Sequence, residues 1–371
     1  MNTLNPDHHR ETRVLLVCGS GGVGKTTIAA AMGLKMSLAG YKTIVLTIDP
    51  AKRLADSLGI KSLSDEPEKI TLPENNGGEM WAMMLDTKRT FDRIIEKYAS
   101  SAETRNKIIN NKLYQHMSQM LAGTQEYMAM ERLYEIYKQN TFDVMIVDTP
   151  PVQNARDFLS APQRMMNMIN NSMLHLLLKP SLSLGKSGLK FLERGSQQIL
   201  KAFDRITGFA FLQEMSEMIV AFKDLLGGFE TRASEVNSLL KLDTTHFVIV
   251  CTTNANSIME TQDFFKQISD QGFNLKKIII NRVYEGNVLS PEKIKSCRDE
   301  LVGQFSPAEA DLLIDNYRLF VPMIKKDKRQ ITSITNSVGN DYVSTIPLFL
   351  SDVHDIKTLK MVADVMGWLD S

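Results

Sequence analysis

The sequence has 371 residues, of which 43% are hydrophobic, so it can bury a sizeable core as one large body or as two to three average domains. Its 43 Lys and Arg residues balance 43 Asp and Glu residues, which excludes a global basic field for nucleic acid or for an anionic membrane. Residues 1–13 carry no apolar signal segment, and no stretch approaches the ~20 apolar residues of a membrane-spanning helix. We therefore expect a cytoplasmic protein without nucleic-acid partners.

The first predicted elements are a strand, a glycine loop and a helix. The apolar run Val14 to Val17 leads into GSGGVGKTT at 19–27, and an Ala-rich helical pattern covers Ile28 to Ala39. This order indicates a Walker A phosphate site rather than a simple glycine turn, because glycines let backbone N–H groups point toward a phosphate at the helix N-terminus. Lys25 is expected to reach the β- and γ-phosphates of ATP, and Thr26 to hold Mg²⁺. The predicted nucleotide-binding residues of the loop are Gly21, Gly22, Val23, Gly24, Lys25, Thr26 and Thr27.

A second predicted strand, Lys42 to Ile48, ends in Asp49. Open parallel sheets bind ligands at the carboxyl ends of their strands. Asp49 is therefore a candidate catalytic residue, and Lys25 is the other. Asp49 would orient or deprotonate a water and contribute to the metal site. The alternative is that Asp49 only caps the following helix, since Asp-Pro commonly starts one.

Residues 66–78 are rich in Pro, Asn and Gly and predict a surface loop, and a helical pattern follows from Thr87 to Gln139. Tyr127, Met130, Tyr134 and Tyr137 share one helical face, which is more typical of a core than of a cofactor site. The next apolar run, Phe142 to Val147, predicts a buried strand that ends in Asp148. Downstream of a Walker A loop, this pattern indicates a Walker B carboxylate that holds the Mg²⁺ shell.

Residues 160–240 contain no convincing strand and predict a helical insertion. Strands then return at Phe247 to Cys251 and at Lys277 to Ile280, where Asn281 and Arg282 close the second strand. Further helices are predicted from Ser306 to Ile324 and from Asp352 to Leu369, with a short β-like piece just before Ile346-Pro347-Leu348. The predicted fold is α/β, a doubly wound, mostly parallel P-loop NTPase sheet. Its core covers about 13–159 and 241–371, with the insertion at about 160–240 and a smaller helical part at about 87–139.

Four segments together resemble one family of ATPases. They are GSGGVGKTT at Gly19, TIDPAKRLADSLG at Thr47, LAGTQEYMAMERLYE at Leu121 and DTPPVQNARDFLSAP at Asp148. This set is similar to the deviant Walker ATPases of the arsenite-pump and tail-anchored-protein targeting family, and most of all to its bacterial branch, usually named anion-transporting ATPases.

The resemblance implies roles for particular residues. Asp49 would polarise the attacking water, Asp148 would serve the metal shell with Thr26, and Asn281 would read the adenine edge. The segment 346–350 would cover the adenine. The implied nucleotide contacts outside the loop are Asn281, Arg282 and Pro347, and the implied switch residues are Asp56, Pro150 and Pro151. The family also implies a dimer that opens and closes with ATP.

The sequence departs from the family at Ser20, where relatives have a lysine that reaches the partner's phosphates. A cation supplied across a dimer is worth about 10³ to 10⁵ in rate, so its loss predicts slow hydrolysis by this chain alone. Either a homologous partner keeps the lysine, or Lys52, Arg53 or Arg156 replaces it. The isolated cysteines offer no grouped ligands for zinc, an iron–sulfur cluster or arsenite.

Methionines in the predicted insertion are candidates for a surface that binds a hydrophobic client, because flexible thioethers adapt to varied apolar helices. The alternative, that they pack the insertion's own core, stays open. We predict a Mg²⁺-dependent ATPase whose dimer handles a hydrophobic or membrane-associated client. The alternatives are the soluble ATPase subunit of a membrane transporter and a low-turnover scaffold paired with a homologous subunit. The client candidates are Met165, Met168, Met173, Met215 and Met218.

Overall fold

A computed structural model of the chain describes residues 12–48, 52–74, 77–99, 101–111, 114–115, 124–149, 161 and 231–369. The described strands are β1 (Arg13–Cys18), β2 (Lys42–Thr47), β3 (Glu68–Ile70), β4 (Glu79–Met84), β5 (Val144–Asp148), β6 (Thr245–Thr252), β7 (Asn274–Val283) and β8 (Val343–Pro347). The helices are α1 (Lys25–Leu38), α2 (Arg53–Leu58), α3 (Thr87–Tyr98), α4 (Ala102–Ile109), α5 (Thr124–Gln139), α6 (Ala255–Asp270), α7 (Pro291–Val302), α8 (Pro307–Val338) and α9 (Ile356–Asp364). Residues 231–240 are also helical.

The eight strands form one sheet in the order β3-β4-β2-β5-β1-β6-β7-β8. In this order, neighbouring strands from β2 to β8 pair in parallel. At the other end of the sheet, the edge strand β3 runs antiparallel to β4. All five residues of β5 are buried, as expected of a central strand whose two faces are both covered. This confirms the predicted α/β fold with a mostly parallel sheet. It also brings the carboxyl ends of β1, β2, β5, β6 and β7 to one edge.

The chain divides into two compact units. The first consists of Met1–Met83, Phe142–Ala155 and Asp243–Ser371, and the second of Met84–Thr141 and Arg156–Leu242. The predicted boundaries of the insertion stay a prediction, because 162–230 lie outside the described residues.

The described part of the second unit has a core of its own. Tyr127, Met130 and Tyr134 are buried on α5, which confirms the predicted core stripe at these positions, whereas Tyr137 at its end is half-buried. Glu131, also on α5 and only 1% exposed, forms an ion pair with Arg232. Arg232 also donates to the hydroxyl of Tyr98 on α3, so a buried charge cluster joins three helical segments of this unit.

Three predicted elements differ from the structure. The predicted loop at 66–78 contains the edge strand β3, which pairs with β4. The predicted last helix, Asp352 to Leu369, is shortened to α9 because the Asp355 side chain caps it by accepting the N–H of Thr358. A short 3₁₀ turn follows at Gly367–Leu369.

Helix α8 is the largest correction. The sequence predicted a helix from Ser306 to Ile324, whereas α8 continues through Pro322 to Val338 and has 32 residues. Ser306 and Glu309 form a capping box at its start, which satisfies N–H groups of the first turn. An interior proline removes one hydrogen bond and usually kinks or ends a helix. Here the burial of Ile334 and Val338 beyond it outweighs that cost.

Candidate nucleotide site

The glycine loop lies between β1 and α1, and three of its glycines have positive φ angles. A Cβ on Gly19 (φ 149°) would lie 2.1 Å from the carbonyl oxygen of Val250 on β6. A Cβ on Gly24 (φ 97°) would lie 2.4 Å from Asn281 Nδ2 on β7. At Gly22 (φ 77°) no atom lies within 4 Å of such a Cβ. The loop therefore packs tightly on its inner side and leaves open space at Gly22.

The start of α1 suits an anion. Its N-cap residue is Gly24, which offers no side chain to the N–H groups of the first turn. Lys25, the first helical residue, is 7% exposed, and its Nζ donates to the carbonyl oxygen of Ser20 at 2.8 Å. The ammonium group thus lies inside the loop, beside the helix N-terminus. An ammonium group beside the uncapped N–H groups of a helix start is an arrangement suited to phosphate, and phosphate binding here stays a prediction.

Asp148, at the carboxyl end of β5, accepts two hydroxyl hydrogen bonds on one oxygen. Thr26 Oγ1 donates to Asp148 Oδ2 at 2.7 Å, and Thr47 Oγ1 donates to the same oxygen at 2.8 Å. Thr47 and Asp148 are register partners on neighbouring parallel strands, and both are 1% exposed. Hydroxyl and carboxylate oxygens are the ligands that Mg²⁺ prefers, so this donor set fits the ion.

Sequence reasoning missed Thr47. The available signal was a threonine that ends a strand, but its meaning depends on β2 lying directly beside β5. The sequence alone does not show that β2 pairs with β5.

The end of β7 holds the glycine loop in place. Asn281, which is 8% exposed, donates from Nδ2 to the carbonyl oxygen of Val23 at 2.8 Å. Arg282 adopts a left-handed backbone (φ 61°), and its N–H donates to Asn281 Oδ1 at 3.0 Å. Arg282 Nη1 also donates to the carbonyl oxygen of Gly22 at 3.3 Å. Both predicted residues therefore lie at the site, and the adenine contact of Asn281 stays a prediction.

Pro347, the last residue of β8, lies opposite Val283 of β7. The N–H of Leu348 donates to the carbonyl oxygen of Val283 at 2.9 Å. Part of the predicted adenine-covering segment, 346–350, thus lies beside Val283, the residue that follows Arg282. Its contact with adenine stays a prediction.

The remaining predicted residues lie on or beside α2, or outside the described residues. Asp56 lies on α2 and is exposed, as are Lys52 and Arg53 at the start of that helix. The predicted site residues outside the described ranges are Asp49, Pro150, Pro151, Arg156, Met165, Met168, Met173, Met215 and Met218.

Ser20 contacts a residue that sequence reasoning did not identify. Its hydroxyl donates to a carboxylate oxygen of Glu260, an exposed residue of α6 that is 240 positions away in the chain. Ser20, at the position where the resemblance implies a lysine, thus has an acidic neighbour. No local sequence signal places α6 beside the glycine loop.

The side chains of Cys18 and Cys251 are buried in the core. Burial raises the pKa of the Cys18 thiol to about 12, against a smaller opposing effect of the hydrogen bond with Thr149. Burial likewise raises the pKa of Cys251 to about 12. Neither thiol ionises at neutral pH, so neither is a ready ligand for a soft metal. Among the described residues, no group of three or more His, Cys, Asp or Glu side chains is arranged to hold a metal ion.

These features define a P-loop NTPase, with its phosphate-binding loop at the carboxyl edge of a parallel sheet and an acidic strand end beside it. Residues 12–304 match the family model described as anion-transporting ATPase, and the chain belongs to this family. Its members hydrolyse ATP, and this chain is accordingly an ATP hydrolase.

Individual relatives are distant but cover most of the chain. The chain is 25% identical over 342 residues to an ATPase ASNA1 homolog from Babesia bovis. This match covers 92% of this chain and 81% of the relative. It is 24% identical over 351 residues to ATPase GET3 from Mycosarcoma maydis, covering 89% and 91%. It is also 24% identical over 312 residues to a protein of Chlorobaculum tepidum assigned as an arsenical pump-driving ATPase, covering 83% and 71%. Within the described part of the chain, no helix is long and apolar enough to cross a bilayer.

Proposed function

We propose that this ATPase binds ATP with Mg²⁺ at the glycine loop and uses hydrolysis to drive a dimer cycle that handles a hydrophobic or membrane-associated client. The observation that carries the nucleotide part is the buried Asp148 carboxylate, which receives the hydroxyls of Thr26 and Thr47 beside the loop. The client part is supported by the sequence resemblance and by the methionines of the predicted insertion.

Each residue of the site has a separate task in this proposal. Lys25 leaves the carbonyl oxygen of Ser20 and neutralises phosphate oxygens, while the first-turn N–H groups of α1 bind the phosphates. Thr26 offers its hydroxyl oxygen to the metal and keeps donating its proton to Asp148. Mg²⁺, which Thr26 and Asp148 would hold, would supply neutralisation of phosphate charge. Asp49 orients the attacking water.

The client proposal is tested by photo-crosslinking with the hydrolysis-slowed variant Asp49→Asn. A photoreactive amino acid at 168 or 218 is exposed to a synthetic peptide of about 20 apolar residues, the length of a membrane-spanning helix. Labelling is expected to depend on nucleotide, and the matched control Lys25→Ala, which should not bind ATP, is expected to lose that dependence. Absence of labelling in both the ADP and ATP states would exclude a client groove at these residues.

A second candidate, a low-turnover scaffold, is favoured by one observation: Ser20 is paired with Glu260 where a cation is expected. A lysine introduced by Ser20→Lys would pair with Glu260 in the same subunit. We therefore expect Ser20→Lys alone to leave hydrolysis slow, and Ser20→Lys with Glu260→Gln to accelerate it, up to the ~10³-fold that trans cations can supply. Single-turnover kinetics measure this. Wild-type turnover as fast as that of the double variant would rule out the scaffold.

A further inference from the structure

A small cavity lies at the amino ends of the strands, at the edge of the sheet opposite the glycine loop. Arg13 is the first residue of β1, and its register partner Val144 is the first residue of β5. Leu15 follows on the same face of β1 and pairs in register with His246 of β6. These four side chains therefore share one face of three neighbouring strands, and all four line the cavity.

A further lining residue, Lys276, is placed by an irregularity in β7. Phe247 of β6 pairs with Leu275, and the next residue of β6, Val248, pairs with Lys277, so Lys276 is the extra residue of a bulge. Bulges are rare between parallel strands, and they re-aim a side chain relative to the regular pleat. Lys276 is exposed and adds a basic group to the cavity.

The inner wall of the cavity is apolar. Leu15, Val144 and Met36 of α1 are each at most 6% exposed, and Trp368 adds an aromatic side chain from the 3₁₀ turn. The cavity has a volume of about 130 Å³. Because an apolar cavity of roughly 150 Å³ can hold benzene, this one can accept a body of about the size of one aromatic ring.

The basic residues lie together at the rim of the cavity. Arg13 donates to the hydroxyl of Tyr41 at 3.1 Å, and this uncharged partner leaves the guanidinium charge uncompensated. Burial, with Lys276 and Arg13 nearby, lowers the pKa of His246, against a smaller opposing effect of Asp243. An anion at the rim would therefore meet two cations and would favour the protonated form of His246.

We propose that this cavity is a second binding site, separate from the nucleotide site, for a small aromatic carboxylate. The ring packs against Leu15, Val144 and Trp368, which removes apolar surface from water. The carboxylate oxygens accept hydrogen bonds from Arg13 and Lys276. The site lies at the opposite edge of the sheet from the glycine loop and needs no nucleotide, so it stands independently of the proposed function.

Calorimetric titration of the full chain without nucleotide tests this site, with benzoate as the probe. We expect saturable binding with a Kd of about 1 mM, the scale for a ligand of this size. Benzamide has the ring without the charge, and acetate has the charge without the ring. Each is expected to bind at least about 10-fold more weakly than benzoate. No saturable binding of benzoate, or binding of either control as tight as that of benzoate, would overturn the proposal.

Substitutions test which residues hold the carboxylate. Lys276→Gln should weaken benzoate binding at least about 10-fold, because a hydrogen bond to a charged group is lost. Lys293→Gln changes an exposed lysine of α7 that does not line the cavity, and this matched control should bind benzoate like the wild type. Equal effects of the two substitutions would contradict the site.

The protonation of His246 gives a second readout that does not depend on a substituted lysine. Nuclear magnetic resonance titration of the wild-type histidines, with His246→Gln to assign the signal, measures the pKa of this imidazole. Benzoate should raise that pKa, because a bound anion favours the protonated ring, and benzamide should not. A pKa of His246 that saturating benzoate leaves unchanged would refute the proposed position of the carboxylate.

Discussion

Replacing Thr47 with valine removes one of the two hydroxyls that donate to Asp148 and keeps the shape of the side chain. Both residues are 1% exposed, so little water can take the place of the lost donor. A hydrogen bond to a charged group contributes about 1.5–3 kcal/mol. We expect Thr47→Val to lower the free energy of unfolding by that amount. Thr26→Val is the matched partner, because it removes a similar bond of 2.7 Å to the same oxygen.

The two substitutions are expected to differ once Mg²⁺ and ATP are present, because only Thr26 is proposed to bind the metal. Urea unfolding followed by circular dichroism measures the loss in the absence of nucleotide. Repeating it with ATP, with and without Mg²⁺, measures the stabilisation by ligand, which follows RT ln(1 + [L]/Kd). Thr47→Val should keep the Mg²⁺-dependent increase, and Thr26→Val should lose most of it.

Two results would refute this reasoning. If Thr47→Val abolished the Mg²⁺-dependent increase as fully as Thr26→Val, the two hydroxyls would share the metal-binding task. If neither substitution lowered the free energy of unfolding without nucleotide, the two buried hydrogen bonds to Asp148 would not stabilise the fold as expected.

Three further predictions concern the loop and the sheet. Gly24→Ala should cost at least 1–2 kcal/mol of stability and about 10-fold or more in nucleotide affinity, measured by calorimetry, because its φ is 97° and its Cβ would meet Asn281. The Cys18 and Cys251 thiols should resist alkylation at pH 8 in folded protein and react after denaturation, by mass spectrometry, because burial raises the pKa of each to about 12. Burial and nearby cations lower the pKa of His246, so its contribution to stability is present above its unfolded pKa of ~6.5 and lost as pH falls below it. His246→Gln should therefore flatten the acid side of the stability profile.

The sequence was most informative where local pattern and chemistry agree. The strand, glycine loop and helix at 13–38 follow from apolar runs and from glycines that only a phosphate loop requires, and the structure has them within a few residues. The aspartate at the end of β5 followed from the same logic. These features are short-range, so one stretch of sequence contains all the information.

The features that sequence reasoning missed depend on which elements become neighbours. Thr47 matters because β2 pairs with β5, and Glu260 matters because α6 reaches the loop at Ser20. The helix that became α8 was predicted to end at Ile324, whereas the packing of Ile334 and Val338 carries it to Val338. Each of these follows from tertiary contacts between distant parts of the chain.

The attachment of α8 beside β7 ties the glycine loop to the helices that follow it. Asp327 accepts the N–H of Tyr284, three residues along the chain from Asn281, which holds the glycine loop. The first half of α8 is held in turn by α7 and the segment before it, because Arg298 donates to Asp311 and the Tyr317 hydroxyl bonds residues 287 and 289. The glycine loop, the end of β7, α7 and α8 are thus one continuous set of hydrogen-bonded contacts.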